Sequence, residues 1–343
     1  MKIGIDQISF YVPKSFVDLE VLAKYRGIDP NKYTKGLLQK RFSVSLNEDI
    51  VFMAANAARN LNFDTNEIGM VLFATESSNE LSKALATNLL SELNLNSSTI
   101  AVEIKQACYG LTASLDFARG YVTLNPNKKV LLVSADIARY ELGSAAEPTS
   151  GAGAVAILVS LSPRILEFTD DSSYFSEDSM DFFRPIESTF PIVDGKLSTE
   201  VYQNHFIKNI EKLFNVKTPN LEQYQGICLH IPYSKLALKA IRSIEASERI
   251  EDIFFDSIEY NQNVGNIYNG SLYLNLIGLL DNCELLANKK ILMFSFGSGA
   301  TSKLFSLRIV DGYQNHLYTD IHKHMLANTE EITIEQYEQS FDI

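Results

Sequence analysis

The sequence predicts an α/β fold built from two related halves, and three observations carry that prediction. Short apolar runs such as Met70–Ala74, Val130–Ser134 and Lys290–Ser295 have strand length and almost no polar alternation, the pattern of strands buried on both faces. Segments with helical spacing separate them, which is the arrangement of a largely parallel sheet. Two echoes also recur in the same order. Lys129-Val-Leu-Leu-Val-Ser134 matches Lys290-Ile-Leu-Met-Phe-Ser295, and Gly151-Ala-Gly-Ala154 matches Gly297-Ser-Gly-Ala300.

Taken in order, Ile3–Val12 alternates as a first strand and Pro13 closes it. Val17 to Arg41 is irregular, with two tyrosines and several lysines, and reads as a helix-and-loop insertion over a site. Asp49–Asn60 is alanine-rich with helical spacing. The Met70–Ala74 strand runs into Thr75-Glu76-Ser77, and a helix is predicted over 81–93. Ile100–Lys105 is a strand, and a helix follows from Cys108 to about Thr123. Val130–Ser134 ends at Ala135-Asp136, and Gly151–Ser160 supplies the last strand of the first half. The second half repeats the plan: a short strand at Ile165–Phe168, a helix over 197–214, and a strand at Gly226–Leu229 that ends at His230. A helix over 234–246 and an apolar helix over 266–280 follow, then strands at Lys290–Ser295 and 300–310. The tail from Gly312 is polar and helical, packing across the outside, and His322-Lys-His324 in it is expected to be exposed. The halves divide at 1–162 and 163–343, with Cys108 and Asn266 at equivalent strand-to-helix junctions.

Composition narrows the function classes. Of 343 residues, 46% are apolar and 21% charged, the profile of a globular protein with a large core. A net charge of −12 with no basic run argues against nucleic acid. No apolar run approaches the roughly 18 residues that span a bilayer, and the N-terminus alternates like a strand rather than a signal peptide. Three scattered cysteines, Cys108, Cys228 and Cys283, form no disulfide framework or metal-binding pair, and a reduced, cytoplasmic protein is expected. The histidines show no metal-ligand spacing either.

Three residues share a position just beyond the C-terminal end of a predicted buried strand: Glu76, Cys108 and His230. Ligand sites of parallel α/β sheets gather at that edge. A cysteine at a strand-to-helix junction meets free backbone N–H groups and the positive end of the helix dipole, which favour the thiolate. The alternative for Cys108 is a buried, inert thiol, and for His230 a structural role. Together a thiol, an imidazole and a carboxylate suit acyl transfer coupled to proton transfer. The Gly297-Ser298-Gly299 turn either offers a backbone N–H to an acyl oxygen or is simply a tight turn. Lys235 and Lys239 share a helical face that either clasps phosphates or faces solvent.

With those residues in place, the chain resembles the hydroxymethylglutaryl-CoA synthase family of the thiolase superfamily, in its bacterial form. The segments that carry the resemblance run the length of the chain. They are Ile3–Pro13, Asp29–Tyr33, Ala74-Thr-Glu-Ser77, Ala107-Cys-Tyr-Gly110, Ala138-Arg-Tyr140, Glu147-Pro-Thr149 with Gly151–Val155, Phe183-Arg-Pro185, Pro191–Ser198, His230–Lys235, Val264–Tyr268 and Phe294–Gly299. The resemblance implies a thiolase-like fold, two duplicated βαβαβαββ halves in a five-layered αβαβα arrangement, and a homodimer with sheets paired across a two-fold axis. It implies a nucleophile at Cys108, a general acid/base at Glu76 and a substrate-orienting histidine at His230. Asn266 and the Ser298 backbone would hold substrate oxygens, Tyr140 would line the acyl pocket, and Lys235 and Lys239 would lie near the CoA phosphates. The implied reaction is a ping-pong condensation of acetyl-CoA with acetoacetyl-CoA in the mevalonate pathway, with neither metal nor cofactor. Related readings are a β-branching synthase acting on carrier-protein substrates, and a ketoacyl synthase III-like condensing enzyme.

The chain departs from the family pattern in places. Gly36-Leu-Leu-Gln39 replaces Gly-(Ile/Leu)-Gly-Gln, and Gly143-Ser-Ala-Ala146 replaces Asn-Ser-Gly-Gly. Gln106 stands for a common Glu and Phe296 for a common Tyr, and the chain is short around 212–221.

Overall fold

The structure, a computed structural model, describes residues 2–341. The outer ends of the two expected halves, Met1 and Ile343, lie outside the described residues. Nine strands form one mixed sheet: β1 Ile3–Tyr11, β2 Ile68–Ala74, β3 Ile100–Ile104, β4 Lys129–Ala138, β5 Gly151–Leu161, β6 Leu166–Ser176, β7 Tyr224–Leu229, β8 Lys290–Gly297 and β9 Thr301–Ile309. Their order across the sheet is β7-β8-β9-β6-β1-β5-β4-β2-β3. The first five and last four strands each form a contiguous block, and among the described residues the blocks pair through Gly4↔Glu167 and Ile5↔Leu166.

The continuous apolar runs are explained by what they face. Along β4, Val130 and Leu132 point into a central core while Leu131 and Val133 point into an outer one. Along β8, Ile291 and Met293 face the centre, and Leu292 and Phe294 face out. Helices α3 (Gly110–Leu124) and α8 (Ser271–Asn282) fill the centre through Leu115, Val122, Leu276 and Leu279. Helices α1 (Ile50–Arg59) and α2 (Ala86–Glu92) cover one outer face. Helices α4 (Gly195–Phe214) and α5 (Ser234–Ser243) cover the other. The result is five layers, αβαβα, of the thiolase-like fold.

Four details differ from the sequence-based expectation. The sheet is more antiparallel than the strand–helix alternation suggests. Among the described residues, parallel pairing in this sheet is confined to β2–β3, β2–β4 and β7–β8, because β4–β5 and β8–β9 are joined without an α-helix and must fold back. The second half lacks a counterpart of β3. Glu259–Val264 is a helix, α7, after another helix, α6 (Glu248–Ser257), so Asn266 follows a helix and α8 starts five residues later. The 17–41 insertion carries two short helices between strands Ser15–Asp18 and Arg41–Val44, and Glu330–Glu331 of the tail joins their sheet. His322 is buried, not exposed: Nδ1 lies 2.7 Å from Asp281 Oδ2 and Nε2 lies 3.0 Å from Ser9 Oγ. Those two hydrogen bonds, sealed from water, compensate the burial of a polar ring. His324 is exposed.

Leu38, where the family pattern has glycine, sits at φ 55° with its side chain packed on the outer core of the second half. Left-handed backbone costs an L-residue about 1–2 kcal/mol, and the packing contact offsets part of it.

Candidate active site

Cys108 lies in the turn between β3 and α3. Ala107 adopts φ 43°, and the Tyr109 N–H donates to Gln106 O at 2.9 Å, so the chain reverses sharply around the thiol. Cys108 stays half-exposed while Tyr109 and Gly110 after it are buried. Its Sγ–H donates to Glu76 Oε1 at 3.0 Å. Burial pushes the thiol well above its ordinary range, and the Glu76 carboxylate, with Asp136 and Asp181, pushes it further. This corrects the expectation of a thiolate favoured by a helix end. Helix α3 begins two residues later, and a partial dipole charge is outweighed by burial and then by the three acidic side chains nearby.

Glu76 lies two residues past the end of β2, and its backbone N–H donates to Asp136 Oδ1 at 2.7 Å. The same oxygen accepts Thr75 Oγ1 at 2.9 Å and Ser77 Oγ at 3.1 Å, and Oδ2 accepts both the backbone and the side-chain N–H of Asn269. Asp136 thereby ties the ends of β2 and β4 to the start of α8. Burial raises its carboxyl to about 6, and these hydrogen bonds oppose the rise. Burial, then the Asp136 charge, pushes Glu76 up to about 8, against the Cys108 hydrogen bond and the Arg184 charge. Arg184 Nη1 also donates to Glu76 O at 3.1 Å.

A carboxyl with that poise loses its proton as pH rises through about 8, so if it serves as the base, acyl transfer to Cys108 should accelerate with pH over that range. Asp136→Asn removes the like charge that raises Glu76 and should move the acid limb to lower pH. The check is the pH dependence of single-turnover Cys108 acylation; a limb that stays or moves upward contradicts the coupling.

The second half meets the cysteine through Gly297. A Cβ there would fall 2.7 Å from Tyr109 Cβ and 2.8 Å from Gln106 O, so only glycine lets the turn after β8 seat against the Cys108 junction. Ser298 is next in that turn and half-buried. His230 follows β7 and donates its backbone N–H to Phe294 O of β8 at 2.8 Å, which places it at the same sheet edge. Its ring is buried, Nδ1 has no partner among the described residues, and burial pushes it down to about 3, so it is neutral near pH 7. Asn266 is held by its own oxygen, which accepts Tyr268 N and Ser271 Oγ at 2.9 Å each, leaving its amide NH₂ as the donor end. Gly265 (φ 86°) and Gly151 form a bridge beneath it; a Cβ on Gly151 would lie 2.4 Å from Asn266 O. Tyr140 is buried with Tyr268 and Ala138 in a small cluster that Cys108 and Phe182 pack against.

Cys108 and Glu76 therefore touch, Tyr140 packs in the cluster beside them, and Ser298 approaches through its neighbour Gly297. Lys235 and Lys239 stand apart on α5; among the described residues no hydrogen bond or ion pair links them to the Cys108 group. The Lys235 backbone N–H donates to Leu37 O at 3.0 Å, which docks the insertion onto that helix. Asp136, Asp181 and Arg184 emerge only from the structure. Their traces in the sequence are a charge ending a buried strand and the flanks of Phe182-Phe183. Asp181 Oδ1 accepts the Gly299 N–H at 3.2 Å.

A thiol against a carboxylate, at the seam of two halves with a thiolase-like fold, is the arrangement of an acyl-transferring condensing enzyme, and comparison with known proteins narrows the class. The model described as "Hydroxymethylglutaryl-coenzyme A synthase N terminal" matches residues 1–163, and its C-terminal companion matches 168–252 and 244–342. A hydroxymethylglutaryl-CoA synthase of Enterococcus faecalis is 43% identical over 99% of this chain and 92% of its own. A solved hydroxymethylglutaryl-CoA synthase complexed with CoA has a TM-score of 0.94 at 37% identity, covering 99% of this chain and 90% of that one. A solved synthase of the curacin pathway, in complex with a donor carrier protein, has a TM-score of 0.91 at 30% identity, covering 99% and 88%. The chain belongs to the hydroxymethylglutaryl-CoA synthase family.

Proposed function

We propose that this enzyme condenses acetyl-CoA with acetoacetyl-CoA and water to give hydroxymethylglutaryl-CoA and CoA, in the cytoplasm, as a step of the mevalonate pathway. The observation that carries the reading is the 3.0 Å contact between Cys108 and Glu76 in a chain 43% identical to an Enterococcus faecalis hydroxymethylglutaryl-CoA synthase. Cys108 attacks the acetyl thioester as Glu76 takes its proton, and that proton leaves with CoA. The Ser298 N–H steadies the acyl oxygen. Ionised Glu76 then removes a methyl proton from acetyl-Cys108, which the thioester has acidified. The resulting enolate adds to the ketone carbon of acetoacetyl-CoA, oriented by His230 and Asn266, and Glu76 returns its proton to the new alkoxide. Water cleaves the thioester and restores the Cys108 thiol. Neutral His230 suits a hydrogen-bonding role better than a charged one. Tyr140 walls the acyl pocket, and Lys235 and Lys239 meet the CoA phosphates. The sequence of steps calls for no cofactor or metal, because the thioester activates both the acetyl carbonyl and its methyl group. Three free thiols suit a reducing compartment.

The test is an acceptor comparison. Acetyl-enzyme made with labelled acetyl-CoA should carry label on Cys108 and turn over with acetoacetyl-CoA. Strong preference for an acetoacetyl carrier protein would instead assign the β-branching role, which a 30%-identical curacin synthase structure and a 28%-identical polyketide relative from Bacillus subtilis keep in view.

The reading includes a homodimer. β3 ends the sheet with Ile100 and Val102 exposed, an unpaired and apolar edge of the kind that isolated chains protect. Val102→Lys should turn the dimer into monomers in sedimentation velocity; an intact dimer would remove β3 as the seam.

A further inference from the structure

The reaction as described leaves the fully buried imidazole of His205 unused. His205 of α4 is wholly inaccessible, yet three of its faces are engaged. Nδ1 lies 2.8 Å from Ser302 Oγ, and Nε2 lies 3.2 Å from Glu177 Oε1. The Phe296 ring stands edge-on with its centroid at 5.2 Å. These partners surround one short stretch of chain. Phe296 is two residues before Ser298, and Ser302 is two residues after Ala300. Glu177 exchanges both backbone hydrogen bonds with Ala300, Ser179 N donates to Gly299 O at 2.7 Å, and Gly299 N donates to Asp181. His205 therefore holds the Ser298 turn from its entry, from its exit, and through the 177–181 segment laid along it.

We propose that His205 is a positioning residue for the condensing reaction: with Ser302 and Glu177 it braces the 296–302 turn and so fixes the Ser298 N–H against the acyl oxygen on Cys108. The inference rests on the proposed function, in which Cys108 carries the acyl group and that N–H meets it.

The proton inventory makes the brace more than packing. Ser302 Oγ has one proton, and it donates to Phe175 O at 3.2 Å while Asn209 Nδ2 donates to Oγ at 2.7 Å. The oxygen is then left accepting from His205, so Nδ1 carries hydrogen. Nε2 faces Glu177 Oε1, and burial holds the ring below its ordinary range, toward the neutral form. The charged groups facing the ring are Glu177, Asp181 and Lys208, the last lying over the Phe175 ring.

An oxyanion donor acts only if it is aimed where charge develops, and misplacement by about 1 Å can cost on the order of 100-fold in rate. The test reads the carbonyl directly. Wild type and variants are acylated with ¹³C-carbonyl acetyl-CoA, and the acetyl-Cys108 stretch is recorded by difference infrared spectroscopy. His205→Phe should move the stretch to higher wavenumber and lower kcat for acetylation about tenfold, with KM for acetyl-CoA within about twofold. His205→Asn, whose amide nitrogen takes the place of Nδ1, should recover most of both. Ser302→Ala, a minimal change that survives even if His205→Phe does not fold, should shift the stretch in the same direction. A labelled wild type whose stretch is unmoved by His205→Phe or Ser302→Ala overturns the inference, whatever those changes do to stability. A wild type that takes no label on Cys108 overturns the reading beneath it instead.

Discussion

Glu76→Gln is expected to leave acetyl-Cys108 forming while carbon–carbon bond formation falls by about 10³-fold or more, within the range that removal of a general base produces. The two half-reactions separate because the carboxylate plays opposing parts in the first and a single part in the second. In the proposed acetylation it is the base, 3.0 Å from the thiol, and it is also the nearest charge that raises that thiol. A neutral amide removes the base and the opposing charge together, so the losses partly cancel and acetylation should slow by only about tenfold to 100-fold. In condensation nothing cancels: the methyl proton needs a base at that spot, and an amide is not one. Quenched-flow measurement of labelled acetyl-enzyme, followed by addition of acetoacetyl-CoA, checks both numbers. Loss of acetylation equal to the loss of condensation would mean that Glu76 acts only on the thiol.

The contrast between these half-reactions also shows what sequence could and could not foresee. The places of Glu76 and His230 were legible because each lies just past an apolar run whose length and composition mark a strand, and that of Cys108 because it follows the alternating segment Ile100–Lys105; strand ends fix position without any knowledge of side chains. The ionisation of Cys108 was not legible. It depends on Asp136 and Asp181, which approach from elements 28 and 73 residues away in the chain, and no local pattern reports charge across that distance. The same limit explains His322. A polar tail reads as exposed, but the ring is claimed by Asp281 and Ser9, at opposite parts of the sequence. The missing strand before Asn266 has a local cause. Glu259-Tyr-Asn-Gln-Asn-Val264 lacks the alternating apolar residues of β3, so the two halves match in the strands that line the central core and differ at the edge. What stands there is the Gly151–Gly265 bridge, which seats the Asn266 backbone against the start of β5.

Arg26→Met should be the most destabilising single change outside the reacting groups, costing about 3–5 kcal/mol, the effect of stranding one member of a buried ion pair. Glu147 has no solvent exposure, and Arg26 grips it with two bonds, Nε to Oε2 at 3.0 Å and Nη2 to Oε1 at 2.7 Å. The Gly143 N–H supplies a third contact at 2.9 Å, and Arg26 Nη1 reaches Glu338 in the C-terminal helix Ile334–Gln339. Removing the guanidinium leaves a carboxylate in a site that water does not reach, held by a single N–H. The clamp joins three regions: the insertion, the 139–150 loop and the tail. Because Tyr140 belongs to that loop and packs beside Cys108, loosening it should also raise KM for acetyl-CoA. Adding Glu147→Gln to Arg26→Met removes the stranded charge while keeping an acceptor for Gly143, so the double variant should regain stability relative to Arg26→Met alone. Urea midpoints of the three proteins decide the matter. A double variant less stable than Arg26→Met would show that the loss lies in the packing of the Arg26 side chain rather than in an unpaired buried charge.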